Sequence, residues 1–312
     1  MAARTEAPRA DGLRPLAAPA PRWRMLLRPV LRAVEIAGRD RFALVGTMIY
    51  VVLLLVAIFA DQIATHSPRE ILYGPTGRLA RNLPIGWEHL LGTTHGARDI
   101  FSQLVHGTRS AVAVGLTAAF FVVAIGTMLG LLSGYFGGWI DSAVMRFADI
   151  VLGLPFLPFI IVLAALTRPG TATIVFGVAA LLWPNTARVI RSQVLTVRER
   201  AFVEAARVTG CSTARILFVH VAPSILPLSF LYGSIAVGWA ILTEAAASFL
   251  GFGDASVISW GGMLQDAYSS QALSRGAYNW FVPPGLCIVL VVLAGFFISR
   301  GYEEILFPRL RS

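Results

Sequence analysis

Six apolar stretches, each long enough to cross a bilayer, constrain this chain more than any other feature. They run from Phe42 to Ala60, Ala111 to about Ser133, about Ala143 to Leu166, Thr171 to about Ile190, about Ile225 to Leu250, and Val282 to Ser299. A spanning helix needs about 20 apolar residues, so the pattern predicts an all-α, polytopic membrane protein with six transmembrane helices. Charged residues make up only 14% of the 312, well under the roughly 25% of globular chains. Pro155 and Pro158 fall inside the third stretch and Pro184 inside the fourth. Proline is tolerated in a span where neighbouring helices or water satisfy the freed backbone groups. Those two spans are therefore expected to face protein or a pathway.

All 26 basic residues are arginine, and the net charge is +9. In a membrane chain this balance reads as a topology signal rather than as nucleic-acid binding. Nineteen arginines fall in the N-terminal tail, the turn after the second span, the segment between spans four and five, and the C-terminal tail; the opposite loops hold seven. Both termini and residues 191–224 are thus expected in the cytoplasm, and the loop 61–110 outside. The absence of lysine removes one class of function. A phosphate-binding P-loop needs Lys at the phosphates, so the chain is expected to be no enzyme and to bind no ATP or Mg²⁺ itself.

Residues 1–41 are rich in Ala, Pro and Arg with no sustained apolar face, which predicts a disordered tail, with a short amphipathic helix near Trp23 to Ile36. It does not read as a cleavable signal, because the first apolar run is span-length. Residues 42–60 form the first span, 111–300 a five-helix core, and 301–312 a second cytoplasmic tail. The loop 61–110 is either a solvated connection with an interfacial helix or a surface for a delivery protein. Its histidines, His66, His89, His95 and His106, show no HExxH spacing. No metal or catalytic constellation is legible.

The polar island between spans four and five reads EAARVTGCSTARI from Glu204. Phe202, Ala205, Ala206 and Thr209 stand at i, i+3, i+4 and i+7 and share a helical face, where the two alanines let a partner approach closely. Arg200, Glu204 and Arg207 are spaced for rim ion pairs. Gly210 suits the left-handed residue that ends a helix and Ser212 the N-cap of the next. Two short helices at a sharp angle are expected, forming an exposed corner that docks a partner or, on the plainer reading, touches nothing.

Gly126, Gly130, Gly134 and Gly138 recur every fourth residue. That spacing allows close helix approach in lipid, within the chain or across a dimer. Asp141, Arg146 and Asp149 read as a charged cytoplasmic turn. Glu244 is the carboxylate deep in span five, and a charge there faces a cavity or a partner; a pathway role and a packing role both stand. Cys211 and Cys287 read as small buried hydrophobes.

The island resembles the EAA signature of bacterial ABC importer permeases. Further stretches resemble the C-type permease of the dipeptide, oligopeptide and nickel importers. They are LLGTTHGARD (Leu90 to Asp99), GTRSAVAVG (Gly107 to Gly115), GYFGGWIDSAVMRFAD (Gly134 to Asp149), ILTEAAASFLGFG (Ile241 to Gly253), SWGGML (Ser259 to Leu264) and FPRLR (Phe307 to Arg311). The resemblance implies a type I importer-like fold, a sister permease, one or two ATPase subunits that bind the ATP, and an extracytoplasmic substrate-binding protein. It implies a peptide cargo first, with oligosaccharide or another small solute as the alternative; a secondary transporter is a further competitor. Thr94 and Ala97 stand where this family usually has Asp and Gly, and DASVI (Asp254 to Ile258) replaces its proline-rich approach to SWG.

Overall fold

The computed structural model describes residues 40–167 and 170–306. The expected tail helix at Trp23 to Ile36, Arg168 and the FPRLR segment lie outside them. The order is α1 (Arg41–Ile58), α2 (Ala60–Ile63), α3 (Ile100–Phe136), α4 (Gly138–Leu152), α5 (Phe156–Leu166), α6 (Thr171–Val197), α7 (Ala201–Val208), α8 (Thr213–Arg215), a π-helical turn (Ile216–Val221), α9 (Ala222–Phe249), α10 (Trp260–Ser269) and α11 (Tyr278–Leu306). Among the described residues there is no extended strand pairing beyond two isolated bridges.

Among the described residues five helices are long and apolar enough to be single spans, and the pair α4 and α5, bent by 85° at a short break, makes a sixth when counted as one crossing. The third apolar stretch is thus two helices rather than one. The break falls at Gly153 to Pro155, because the residue before a proline is pushed out of the helical region. Pro158 is accommodated in the first turn of α5, where its missing N–H has no helical partner to lose.

Helix α3 starts eleven residues before the expected Ala111, at Ile100. The cause is Asp99, whose Oδ2 accepts from the backbone N of Ser102 at 2.8 Å and so caps the helix. At 1.5 Å per residue its 37 residues extend roughly 55 Å, well beyond a hydrocarbon core of about 30 Å. Its first turns therefore stand outside the span and carry the folded loop. Helix α11 likewise runs through Leu306, into the segment expected to be tail.

The bundle closes on α3. Its most extensive partner is α6, followed by α9, while α1 packs chiefly on α11. Gly126, Gly130 and Gly134 form the α3–α6 seam: a Cβ on Gly130 would lie 2.6 Å from the carbonyl oxygen of Ala187, and one on Gly134 2.7 Å from Cβ of Val194. The glycine stripe is used within the chain. Gly138 leaves it, because α3 ends at Phe136 and Gly138 is exposed at the start of α4 with φ of +56°.

On the loop side, Ser259 caps α10 by accepting from Gly262 N at 3.1 Å. Trp260 is buried and donates its Nε1 proton to the carbonyl of Leu104, 3.1 Å away. A Cβ on Gly261 would approach the Ala245 carbonyl to 2.3 Å. The SWGG sequence is therefore the clasp that holds α10 between α3 and α9.

Candidate functional site

Chain geometry builds the island from both of its neighbours. Helix α6 ends at Val197, and the Arg198 guanidinium donates to the carbonyl of Gly134 at 2.9 Å, tying the corner to the end of α3. Helix α7 then lies with Val203 and Ala206 buried in a cluster with Ile190, Val194, Ile216 and Val221. Its end is a Schellman motif: Cys211 N donates to Ala206 O at 3.0 Å and Gly210 N to Arg207 O at 3.0 Å. Gly210 has φ of +76°. Ser212 accepts from Arg215 N at 3.4 Å and opens the next helix.

The outward face differs in composition from the expected one. Phe202 (42% exposed), Ala205 and Thr209 face out, but Ala206 turns into the bundle. The apolar position that completes the surface is Val208, 84% exposed, which the i, i+3, i+4 stripe passed over. A strict i, i+3, i+6 count from Phe202 finds it. Glu204 makes no ion pair among the described residues, and Arg207 instead lies 6.0 Å over the Tyr135 ring. The second island helix is not separate either. From Thr213 the helix continues through the π turn into α9 as one rod ending at Phe249. A load on the corner is therefore carried directly into a span.

The charged turn is built across helices. Arg191 of α6 grips both Asp141 carboxylate oxygens, and Arg188 pairs with Asp149. Neither aspartate takes Arg146 as its partner among the described residues. These pairs clip α4 to α6 beside the end of α3.

Glu244 is 4% exposed and accepts from the Ser248 hydroxyl at 2.6 Å. A separate cavity of about 450 Å³ opens at the bend between α4 and α5. Its lining includes Leu154 and Phe156 from the elbow, Asn185 and Thr186 from α6, and Tyr232 and Trp239 from α9. Glu244 does not line it. Asn185 and Tyr232 sit within apolar runs that gave no signal of their own.

On the loop side, the departures from the resemblance have local explanations. Thr94 does the work of an aspartate: its Oγ1 accepts from Arg98 N at 3.1 Å. Ala97 has φ of +58°, the left-handed region where glycine is the relaxed choice. In DASVI, Asp254 Oδ1 accepts from Ser256 N at 2.8 Å and from the Ser256 hydroxyl; these bonds hold its carboxyl below the usual range. Thus an Asx turn replaces the proline-fixed one. The loop also gathers what its sequence spacing hid. His66, His89 and Asp99 each offer a ligand atom, all within 4.8 Å of one another, a grouping that the spacing of the histidines along the sequence does not show.

Comparison with known proteins decides the family. Residues 126–312 match the family model of the binding-protein-dependent transport system inner membrane component. The chain belongs to that family. The permease is 33% identical over 290 residues to the dipeptide transport system permease protein DppC of Alkalihalophilus pseudofirmus, covering 91% of each chain. It is 33% identical to the oligopeptide transport system permease protein OppC of Bacillus subtilis, over 88% of this chain and 87% of that one. It is 32% identical to the glutathione transport system permease protein GsiD of Pectobacterium atrosepticum, over 93% and 92%. Its fold is that of an inward-facing MetNI methionine ABC transporter structure, with a TM-score of 0.52 at 19% identity, covering 65% of this chain and 96% of the other. The protein is a multi-pass permease subunit of an ABC importer. An importer of this family works with ATPase and binding-protein partners, and the secondary-transporter alternative falls.

Proposed function

We propose that this permease forms half of the translocation pathway for di- or oligopeptides, paired with a sister permease, with both termini and the island in the cytoplasm. The observation that carries the coupling half of this reading is the α7 corner. It is locked by a Schellman turn, anchored by Arg198 to α3, exposed through Phe202, Ala205, Val208 and Thr209, and continuous with α9. An ATPase groove that receives this corner moves α9 and α6 as levers. ATP and Mg²⁺ bind the ATPase subunits, because this chain has no lysine for a P-loop. Peptide cargo is supported by the dipeptide and oligopeptide relatives, each matched over nearly the whole chain. The cavity at the elbow, with Trp239 half exposed at its rim, is the surface that the sister subunit closes into a pathway.

Reconstituted complex with its binding protein tests the cargo. Uptake of a labelled dipeptide should be competed by unlabelled di- and tripeptides and unaffected by oligosaccharides. Competition by an oligosaccharide alone would transfer the reading to the alternative cargo.

A further inference from the structure

We propose that His66, His89 and Asp99 form a binding site for a single divalent transition-metal ion of the Zn²⁺ class at the outer head of α3. Three segments distant in sequence supply the donors. His66 follows α2, His89 lies in the middle of the long loop, and Asp99 is the N-cap of α3. His89 Nδ1 is 3.1 Å and His66 Nδ1 3.9 Å from Asp99 Oδ1. Two ligands on one tetrahedral zinc, each bonded at about 2.0–2.1 Å, stand roughly 3.3 Å apart, a spacing the two observed distances bracket. The imidazole rings lie beside each other, with centroids 4.9 Å apart. All three ligand atoms lie within 4.8 Å of one another, so binding an ion draws the two rings together around Asp99 Oδ1.

The chemistry of the set selects the ion. Two imidazoles and a carboxylate suit zinc or its borderline neighbours, whereas magnesium and calcium ask for oxygen donors. Asp99 is fully buried and already held at Oδ2 by Ser102 N and Oγ and by Thr65 Oγ1. Those bonds fix the carboxylate and leave Oδ1 for the ion. Thr65 Oγ1 also lies 3.1 Å from His66 Nδ1, a contact that the ion replaces when that nitrogen becomes a ligand. The His66 side chain keeps about 28% of its surface exposed, so an ion has an entry and a fourth position is left for water. Without metal, the His89 Nδ1 proton bridges to Asp99; metal takes that proton's place and releases it to solvent. The site then ties the loop to the long helix that bears the bundle.

The test uses the assembled complex, stripped with a chelator and titrated with Zn²⁺ against a chromophoric competitor, with Co²⁺ as a spectroscopic stand-in. Wild type should hold one more equivalent of Zn²⁺ per copy of this chain than His66→Ala or His89→Ala. Loss of a direct ligand should weaken binding by at least about tenfold, since loss of an outer partner alone costs that much. His95→Ala should behave as wild type, because His95 meets Asn82 and Arg275 outside the cluster. Co²⁺ should give the intense visible bands of a low-coordinate site in wild type and lose them in His66→Gln, the variant that keeps a polar side chain of similar length. Equal Zn²⁺ stoichiometry in wild type and both histidine variants, or identical Co²⁺ spectra in wild type and His66→Gln, would overturn the proposal.

Discussion

A Cβ on Gly210 would meet no atom within 4 Å, so its constraint is the +76° φ alone. Gly210→Ala should cost about 1 kcal/mol through that angle, while leaving insertion intact. Gly130 is the opposite case, limited by space: its Cβ would stand 2.6 Å from the Ala187 carbonyl, a backbone atom. Gly130→Val should therefore destabilise the α3–α6 seam by about 1–3 kcal/mol, read as a lower melting midpoint of the purified complex. Swapping Gly210 and Gly130 effects would contradict this division. Glu244→Gln should keep the complex assembled, since the amide oxygen can still accept from Ser248; altered uptake in that variant would assign the carboxylate to the pathway, and loss of assembly to packing. Gly210 and Ser212 were legible as cap residues because capping is local chemistry. The burial of Ala206 was not, because which side of a two-turn helix is buried depends on Ile190, Val194 and Ile216, all brought there by the fold.

At the scale of elements, apolar runs disclose helices well and their ends poorly. Asp99 caps α3 from within a polar loop, where no hydropathy boundary marks it. The elbow between α4 and α5 was present as prolines, but whether proline kinks a span or breaks it depends on what packs against the freed backbone. The island's second helix merged with α9 because the π turn lets the chain pass into Pro223 without stopping. Packing of α4 on α6 makes the Asp141–Arg191 pair testable. Its side chains keep 18% and 32% of their surface, so a contribution near 1 kcal/mol is expected from a bidentate but partly solvated pair. Asp141→Arg alone should lower the melting midpoint, and adding Arg191→Asp should recover part of the loss. A double variant no better than the sum of the singles would show that the pair contributes nothing.

For the whole molecule, the proposed function joins the arginine asymmetry to the continuity of the corner with α9: on that proposal cargo enters from the loop side, and force arrives at the island. Orientation is checked by single cysteines at Thr76 and Thr196, both exposed, in a background lacking Cys211 and Cys287. An impermeant maleimide should label Thr76→Cys from outside intact cells and spare Thr196→Cys. The central claim, that the Ala201–Ser212 corner transmits ATP hydrolysis to the bundle, is tested most directly by measuring uptake and ATPase activity together in the reconstituted complex with its binding protein. Gly210→Val, Val208→Glu and Glu204→Arg should each insert normally and lose substrate-dependent uptake, with the ATPase either dissociated or hydrolysing without transport. Wild-type uptake and wild-type substrate-stimulated hydrolysis in all three would contradict the account.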